Sequence, residues 1–472
     1  MRSLPYCSDS AVWVECIRSL GCTVWLDSAD SAAARSCSGA AASSSRYDII
    51  TAAPETLIQL RAGRVTVRDM NTQVSVSRSE GDLFALLEEQ MAWPRCVAQG
   101  TLPFCGGLLG YWGYELNQYL EPKRIRPGSG AHPDLMVGLY LWGIIVDHHL
   151  EKTELFLHPD LPGGKREEIL AALDRRESTG FCGASDNSFV LREAFRPCLS
   201  RKDYEDAFSV VKTCIAAGDC YQINLTQRFD ARYAGDSLQA YRWLRAVSPA
   251  PFSVYIEFPG LSVLSHSPER FLFSQANHVE ARPIKGTRPR LEDAAQDQAS
   301  KDSLRNSEKD RAENLMIVDL LRNDLARNCR PGSIRVPSLF QLETFANVHH
   351  LVSTVTGQLA PGRSNLNLLR DAFPGGSVTG APKVRAMEII REIELCPRSV
   401  YCGAIGYLSL HGRMDVNIPI RTLVATGEGA LHTWGGGAIV DDSRCDDEYE
   451  ESLLKVRNLM QGLEDRFLEP EK

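Results

Sequence analysis

Lys285 stands in Pro283-Ile284-Lys285-Gly286-Thr287, between an apolar residue and a glycine at the end of a strand-like stretch, His278–Ile284. An ammonium drawn into such a place loses hydration, its pKa falls toward neutrality, and the free amine becomes a usable nucleophile. The same segment also fits the ordinary fate of a strand-edge lysine, whose stem packs while its head reaches water. Glu269, in Ser267-Pro268-Glu269-Arg270-Phe271, is a carboxylate close to Phe271 and Phe273. Apolar surroundings would raise its pKa and suit it to general-acid work; a surface ion pair with Arg270 accounts for the pattern too. Two carboxylate pairs fall at helical spacing, Asp310 with Glu313 and Glu448 with Glu451, the second followed by Lys455. Side chains three or four apart share a helix face. Carboxylates on two helices, with no Cys or His among them, match a hard cation such as Mg²⁺ accompanied by an anionic ligand. Solvated helix faces carry the same spacing, and Asp310 has the alternative role of completing a cap with Ser307.

The elements that would position these groups are legible in part. Ser200 and Asp203 open a helix as a capping box, Tyr204, Phe208, Val211 and Ile215 recur at helical spacing, and Gly218 ends it. Further helices are expected from Ser307 to Asn328, largely buried because Leu315–Leu321 is mostly apolar, and from Pro382 to Glu394. The last runs from Asp446 to about Leu468, its apolar stripe formed by Tyr449, Leu453, Val456, Met460, Leu463 and Phe467. Strands are expected at Thr23–Leu26, Tyr47–Thr51, Tyr221–Phe229, Phe252–Phe258, Val263–Ser265, Phe271–Phe273, Tyr401–Leu410, Asp415–Val424 and Leu431–Thr433. Leu135–Val146 reads as one buried strand; as a helix it is too short to span a bilayer. Short connections between strands, interrupted by a few long helices, indicate an α+β protein with antiparallel sheets. Ser31–Ser45 is low in complexity and reads as a flexible loop. The polar stretch ending at Asn187 divides an N-terminal region, 1–187, from a C-terminal region, 188–472.

Several motifs fall short of the chemistry they suggest. Gly375–Gly380 has the spacing of half a phosphate loop, but Ala381-Pro382-Lys383 follows where Lys-Ser/Thr is required. Gly106, Gly107 and Gly110 miss a dinucleotide fingerprint by one residue, and His349-His350 lacks a zinc-binding context. Neither Cys220 nor Cys402 sits in the G-x-C-x-G turn a glutaminase needs. The 14 cysteines include no CxxC pair and fit a reduced, cytoplasmic protein with small buried thiols. No signal peptide or spanning segment is visible, so no membrane is expected. A net charge of −8 over 472 residues argues against nucleic acid as a partner, although local cations can still meet an anionic substrate.

Taken together, these segments carry a resemblance. Cys220–Leu225, Ser267–Phe271, Pro283–Thr287, Asp310–Leu320, Val348–Val352, Gly380–Ala386, Ile420–Thr422 and Glu448–Glu451 run in family order across about residues 196–458. They resemble the chorismate-utilising enzymes, the family of anthranilate synthase component I, isochorismate synthase and salicylate synthase. The first part of the chain resembles the family's N-terminal region more weakly. The resemblance implies an anthranilate synthase component I-like fold, two intertwined subdomains with largely antiparallel sheets flanked by helices. It implies Mg²⁺ on Glu313 and Glu451, with Asp310 and Glu448 as helper carboxylates. It places Gly286, Thr287, His350, Ser377, Tyr401, Arg421, Gly435, Gly437 and Lys455 against chorismate, with Arg421 gripping the enolpyruvyl carboxylate.

Anthranilate synthases carry alanine where this chain has Lys285, so the lysine implies amination at ring carbon 4. Lys285 would attack carbon 2, Glu269 would protonate the departing hydroxyl, and ammonia would add at carbon 4 to give 4-amino-4-deoxychorismate. The missing glutaminase motif then implies that ammonia comes from a separate glutamine amidotransferase subunit. The alternatives are anthranilate synthesis, against which Lys285 argues, and a non-catalytic chorismate-binding relative, against which the set Lys285, Glu269, Glu313 and Glu451 argues. Leu26-Asp27-Ser28 resembles the segment lining the family's buried aromatic amino-acid site, which makes Ser28 a candidate for tryptophan binding. The Ala/Ser-rich insertion after it departs from the family pattern.

Overall fold

The computed structural model describes residues 1–29, 46–79, 83–92, 102–128, 130, 132–179, 188–345 and 348–470. The low-complexity segment Ser31–Ser45 and the boundary stretch before Asn187 lie outside them. Among the described residues the chain builds two twelve-stranded sheets. The first runs in the order Arg2–Leu4, Lys152–Leu157, Trp142–Asp147, Tyr47–Thr51, Thr23–Asp27, Phe252–Phe258, Leu261–Ser267, Thr422–Thr426, Ala430–Ile439, Gln222–Ala234 and Val190–Pro197, with Gly380–Ala381 pairing to Gln222–Ile223. The second runs Ile284–Pro289, Val348–Gln358, His278–Ala281, Arg270–Gln275, Met414–Asn417, Ala404–Ser409, Gly107–Trp112, Leu135–Tyr140, Thr56–Arg61, Arg64–Asp69 and Ser75–Ser79, with Arg335–Thr344 along Val348–Gln358. Neighbours pair antiparallel, for example Thr23–Asp27 with Phe252–Phe258 and Gly107–Trp112 with Ala404–Ser409. These two pairings also join the regions before and after residue 187, and each sheet takes five strands from the first region and seven from the second. The expected α+β fold with largely antiparallel sheets is the one observed.

The sheets are linked where the chain steps from one to the other. Leu135–Val146, read as one strand, is two: Leu135–Tyr140 in the second sheet and Trp142–Asp147 in the first, with Leu141 between them. Every residue of the run is buried, so its apolar content carried no sign of the break. Asp415–Val424 likewise divides into Met414–Asn417 and Thr422–Thr426. His278–Ile284 breaks after Ala281 and resumes at Ile284. One core includes Val24, Ile49, Leu108, Trp112, Val263, Phe271 and Ile405, from strands of both sheets. A second gathers Trp13, Trp25, Trp142, Tyr241, Leu459 and Leu463, from strands of the first sheet and from helices. Each fully buried Val, Leu, Ile or Phe contributes about 1.5–3 kcal/mol.

The helices follow their caps. Ser200 accepts from the Asp203 amide and Asp203 reaches back to Ser200, completing the capping box of Arg201–Ala216. Ser307 accepts from the Asp310 amide at the start of Glu308–Ala326. That helix buries one face, through Asn314, Ile317, Val318, Leu321, Asp324 and Leu325, while Leu315 is 53% exposed. It is thus less buried than its apolar content suggests. The last helix, Cys445–Phe467, turns its buried line through Glu448, Ser452, Val456, Leu459 and Leu463, so the expected stripe is rotated and Glu448 points inward. Cys198 and Cys396 are paired, an exception to the reading of the cysteines as free thiols. Among the described residues no helix is long and apolar enough to cross a membrane.

Candidate active site

Two of the sheet-to-sheet steps lie side by side. The chain leaves the first sheet after Ser267 and enters the second at Arg270, placing Glu269 in the step. It returns between Asn417 and Thr422, placing Arg421 in the step, and the Ile418 amide donates to the Glu269 carbonyl at 3.0 Å. Arg421 takes a left-handed backbone, φ +52°, and its carbonyl accepts from the His266 amide at 3.0 Å. A non-glycine residue held there costs about 1–3 kcal/mol and persists only when its surroundings enforce it. Lys285 sits at a register shift between Ile284 and Thr287 against Val348–Gln358. Such a break re-aims a side chain that regular alternation would place elsewhere. Gly286, φ +80°, lets the helix Glu308–Ala326 close on this strand, because a Cβ there would lie 2.9 Å from Asp310 Cγ.

These steps face a cavity of about 600 Å³. Its wall holds Glu269, Lys285, Gly286, Thr287, Asp310, Glu313, His350, Ser377, Tyr401, Arg421, Glu448, Glu451 and Lys455. Glu269 is 5% exposed and burial raises its carboxyl to about 7, while a 2.9 Å hydrogen bond from Ser377 Oγ and the charge of Lys285 hold it from rising further. Lys285 Nζ donates to the Ser377 carbonyl at 3.5 Å and lies 3.9 Å from Glu313 Oε2. Burial lowers its pKa against the pull of Glu313, and Lys455 adds to the lowering. A buried acid still protonated near neutrality and a buried amine biased toward its free base thus meet at Ser377. Such paired displacements mark groups tuned for proton transfer and attack.

The wall also carries a cation, Arg421. Among the described residues the Arg421 guanidinium has no carboxylate partner, and burial lowers its pKa. Thr287 Oγ1 and His350 Nδ1 are 2.9 Å apart, and burial followed by the charge of Arg421 pushes His350 down to about 3, so its ring is neutral. Tyr401 stacks on Trp434, centroids 6.0 Å apart and planes 8° apart.

The carboxylates each hold a side-chain cation: Asp310 with Arg288 at 3.1 Å, Glu313 with Lys285 at 3.9 Å, Glu448 with Lys309 at 4.0 Å and Glu451 with Lys455 at 2.7 Å. Burial raises the pKa of Glu313 and Glu448; in Glu451 it is outweighed by Lys455 and the pKa falls. Glu448 accepts from Ser443 Oγ at 2.7 Å through Oε1, but its buried Oε2 has no hydrogen-bond partner among the described residues. A Cβ on Gly437 would lie 2.9 Å from that oxygen and 3.5 Å from Glu451 Oε1, so glycine keeps the space between them open. An orphan carboxylate oxygen beside a second carboxylate suits a hard cation. The carboxylates do not converge further: among the described residues no three acidic, His or Cys side chains stand close enough to share a metal.

Not every expected residue faces the cavity. A Cβ on Gly435 would strike the Ser452 carbonyl at 2.1 Å, so this glycine admits the last helix against its strand. Gly436 lines the wall instead, and its carbonyl accepts from Lys455 at 2.8 Å. Ser28, expected at a separate aromatic amino-acid site, donates through its amide and its hydroxyl to Asp48, both at 2.7 Å. Asn224, Arg288, Lys309 and Trp434 also line the wall. Lys309 precedes Asp310 in the sequence, and a search for cations beside the acidic pairs would have found it; Arg288 meets Asp310 only in the fold, at 3.1 Å.

Residues 71–461 match the family model described as chorismate binding enzyme. The chain is 45% identical over 422 residues, 89% of its length and 90% of the relative's, to aminodeoxychorismate synthase component 1 of Klebsiella aerogenes. It is 35% identical over 420 residues, 89% of its length and 87% of the relative's, to anthranilate synthase component 1 of Methanothermobacter marburgensis. Among solved structures it is similar to anthranilate synthase component I from Streptococcus pneumoniae TIGR4, with a TM-score of 0.76 and 30% identity over 88% of this chain and 92% of that one.

Proposed function

The chain belongs to the chorismate binding enzymes, and from that membership we propose that it aminates chorismate at ring carbon 4, giving 4-amino-4-deoxychorismate for para-aminobenzoate and folate synthesis. The observation that carries this reading is the buried Lys285 amine beside the buried Glu269 acid, both bonded to Ser377. Arg421, without an anionic partner among the described residues, takes a substrate carboxylate through paired charge-assisted hydrogen bonds.

The neutral Lys285 amine adds to ring carbon 2. The ring double bonds shift, the bond from carbon 4 to its hydroxyl breaks, and the Glu269 proton leaves with that hydroxyl as water. Ammonia then adds to carbon 4, the double bonds shift back, the bond from Lys285 to carbon 2 breaks, and the enolpyruvyl group stays in place. The neutral His350 and Arg421 hold the dianion without adding a competing acid. Mg²⁺ would be held by Glu313 and Glu451, with Asp310 and Glu448 in support, and would supply electrostatic stabilisation at the ring carboxylate. The unpartnered Glu448 oxygen and the open space at Gly437 support this assignment. Ammonia would come from a glutamine amidotransferase acting as the partner that the relative's name, component 1, implies, with both in the cytoplasm.

The test mixes the purified chain with chorismate, Mg²⁺ and ammonium at alkaline pH and identifies the product by mass and fluorescence. A product that has gained nitrogen, lost oxygen and kept pyruvate is expected. Anthranilate, or no turnover even with an added amidotransferase, overturns the reading.

A further inference from the structure

The loop that brings Ser377 to both Glu269 and Lys285 is closed at its base by a side chain from outside the cavity wall. The helix Asn365–Ala372 ends before the loop and the helix Lys383–Ile393 begins after it. Lys383 reaches back across the gap. Its Nζ donates to the Ala372 carbonyl at 2.8 Å and pairs with Asp324 Oδ2 at 2.6 Å. Asp324 lies on the inner face of Glu308–Ala326, the helix that carries Asp310 and Glu313. The loop also rests on this helix, since a Cβ on Gly376 would lie 2.2 Å from Leu320 Cδ2. One ammonium therefore joins the two ends of the loop to the carboxylate-bearing helix. The pair is deeply buried, with side-chain exposures of 11% and 3%. Buried ion pairs seldom add stability over an apolar replacement, and this one spans the loop and the carboxylate-bearing helix.

We propose that Lys383 is a positioning residue: clamped between Asp324 and the Ala372 carbonyl, it sets where the Ser377 loop meets Glu269 and Lys285. The proposal rests on the catalytic reading of those two residues. Without the clamp the loop keeps its other anchors, the Val378 carbonyl held by Arg398 and Asn224. Arg421 is untouched, but the Ser377 hydroxyl and carbonyl shift relative to the acid and the amine. A misplacement of about 1 Å costs up to about 100-fold in rate.

The test compares Lys383→Met with the double replacement Lys383→Met/Asp324→Leu, which removes both charges and keeps the volume apolar, so that folding survives in at least one of them. Ammonia-dependent kcat and the KM for chorismate are measured per folded molecule, alone and in a Ser377→Ala background. The expected result is a fall in kcat of about 10- to 100-fold with KM changed less than about threefold. The fall should also be smaller in the Ser377→Ala background, because the hydroxyl contact to Glu269 is already gone there and only the carbonyl contact to Lys285 remains to be displaced. Unchanged kcat in the folded double variant, or an equal fall in both backgrounds, overturns the proposal. Should Lys285→Ala leave kcat intact, the catalytic reading fails; should it abolish turnover while the Lys383 variants leave kcat unchanged, only the clamp fails.

Discussion

Two buried charge clusters in this molecule are built in opposite ways. Around Asp48, in the N-terminal half, each charge is saturated. One carboxylate oxygen accepts from the Ser28 amide and hydroxyl, both at 2.7 Å, and the other from Ser10 at 2.5 Å and His148 at 2.9 Å. Nearby, Arg245 holds Asp27 at 2.6 and 3.2 Å and Asp9 at 3.1 Å. Burial would raise the Asp48 carboxyl, yet its bonds to His148, Ser10 and Ser28 bring it down to about 2. Around Lys285 the balance is reversed. Glu269 is pushed up to about 7, the Lys285 amine is pushed down, and Arg421 is partly buried with no partner carboxylate among the described residues. Both clusters are buried and polar, so burial alone does not mark a site. What marks it is charge the protein leaves unmatched, because a ligand then has something to complete.

The largest test of this difference is Lys285→Ala. Losing the nucleophile should lower ammonia-dependent turnover by about four orders of magnitude or more. Thermal stability should hold or rise slightly, since an ammonium biased toward its neutral form stabilises the fold little. Turnover within tenfold of the unaltered chain would remove the amine from the chemistry. Asp48→Ala should do the reverse. It leaves His148 without its counter-charge, and breaking a buried pair costs about 3–5 kcal/mol. Denaturant unfolding should show that loss, while turnover per folded molecule stays the same.

Arg421→Ala comes next in size. A charge-assisted hydrogen bond is worth about 1.5–3 kcal/mol, so the chorismate KM should rise about 10- to 150-fold. The melting temperature should not fall, because the side chain has no ion pair to lose. A clear destabilisation with unchanged KM would place Arg421 with the saturated cluster.

The sequence disclosed the chemistry of the site better than its geometry. Chemical type and motif order pointed to Lys285, Glu269, Glu313 and Glu451, and all four line one cavity. The steps that deliver two of the key side chains were not visible. Asn417–Thr422 joins two sheets, but strand-forming residues resume at once on the far side, and Pro419 alone marks the change in the sequence. The aim of Lys285 depends on a register shift set by the partner strand, which local spacing does not encode. Gly435 and Gly437 look alike in sequence, yet one admits a helix and the other opens space beside carboxylates. The rotation of the last helix was missed because Glu448 and Ser452 sit on its buried line, and a stripe drawn from apolar residues alone passes them by.

The smallest effects separate the clusters on the pH axis. Glu269 donates a proton, so it works only while protonated. With its carboxyl near 7, kcat should fall as pH rises above about 7, approaching tenfold per unit, when neutral ammonia is held constant. Glu269→Gln should be slow throughout and lack that limb. Asp48 acts at the other end. Its folded pKa of about 2 lies below the ordinary value of about 3.9, so the unfolded chain takes up the proton first. Its contribution to stability is complete above about 4 and is lost as pH falls through about 2. His148, raised by the same pair even as burial opposes it, has the opposite sign: its share is complete below about 6.5 and is lost as pH rises through its elevated value. Unfolding free energies should therefore decline at both ends of the pH range, and Asp48→Ala should flatten both slopes while leaving the alkaline limb of kcat in place. A variant in which the two profiles move together would mean that the clusters share one electrostatic unit.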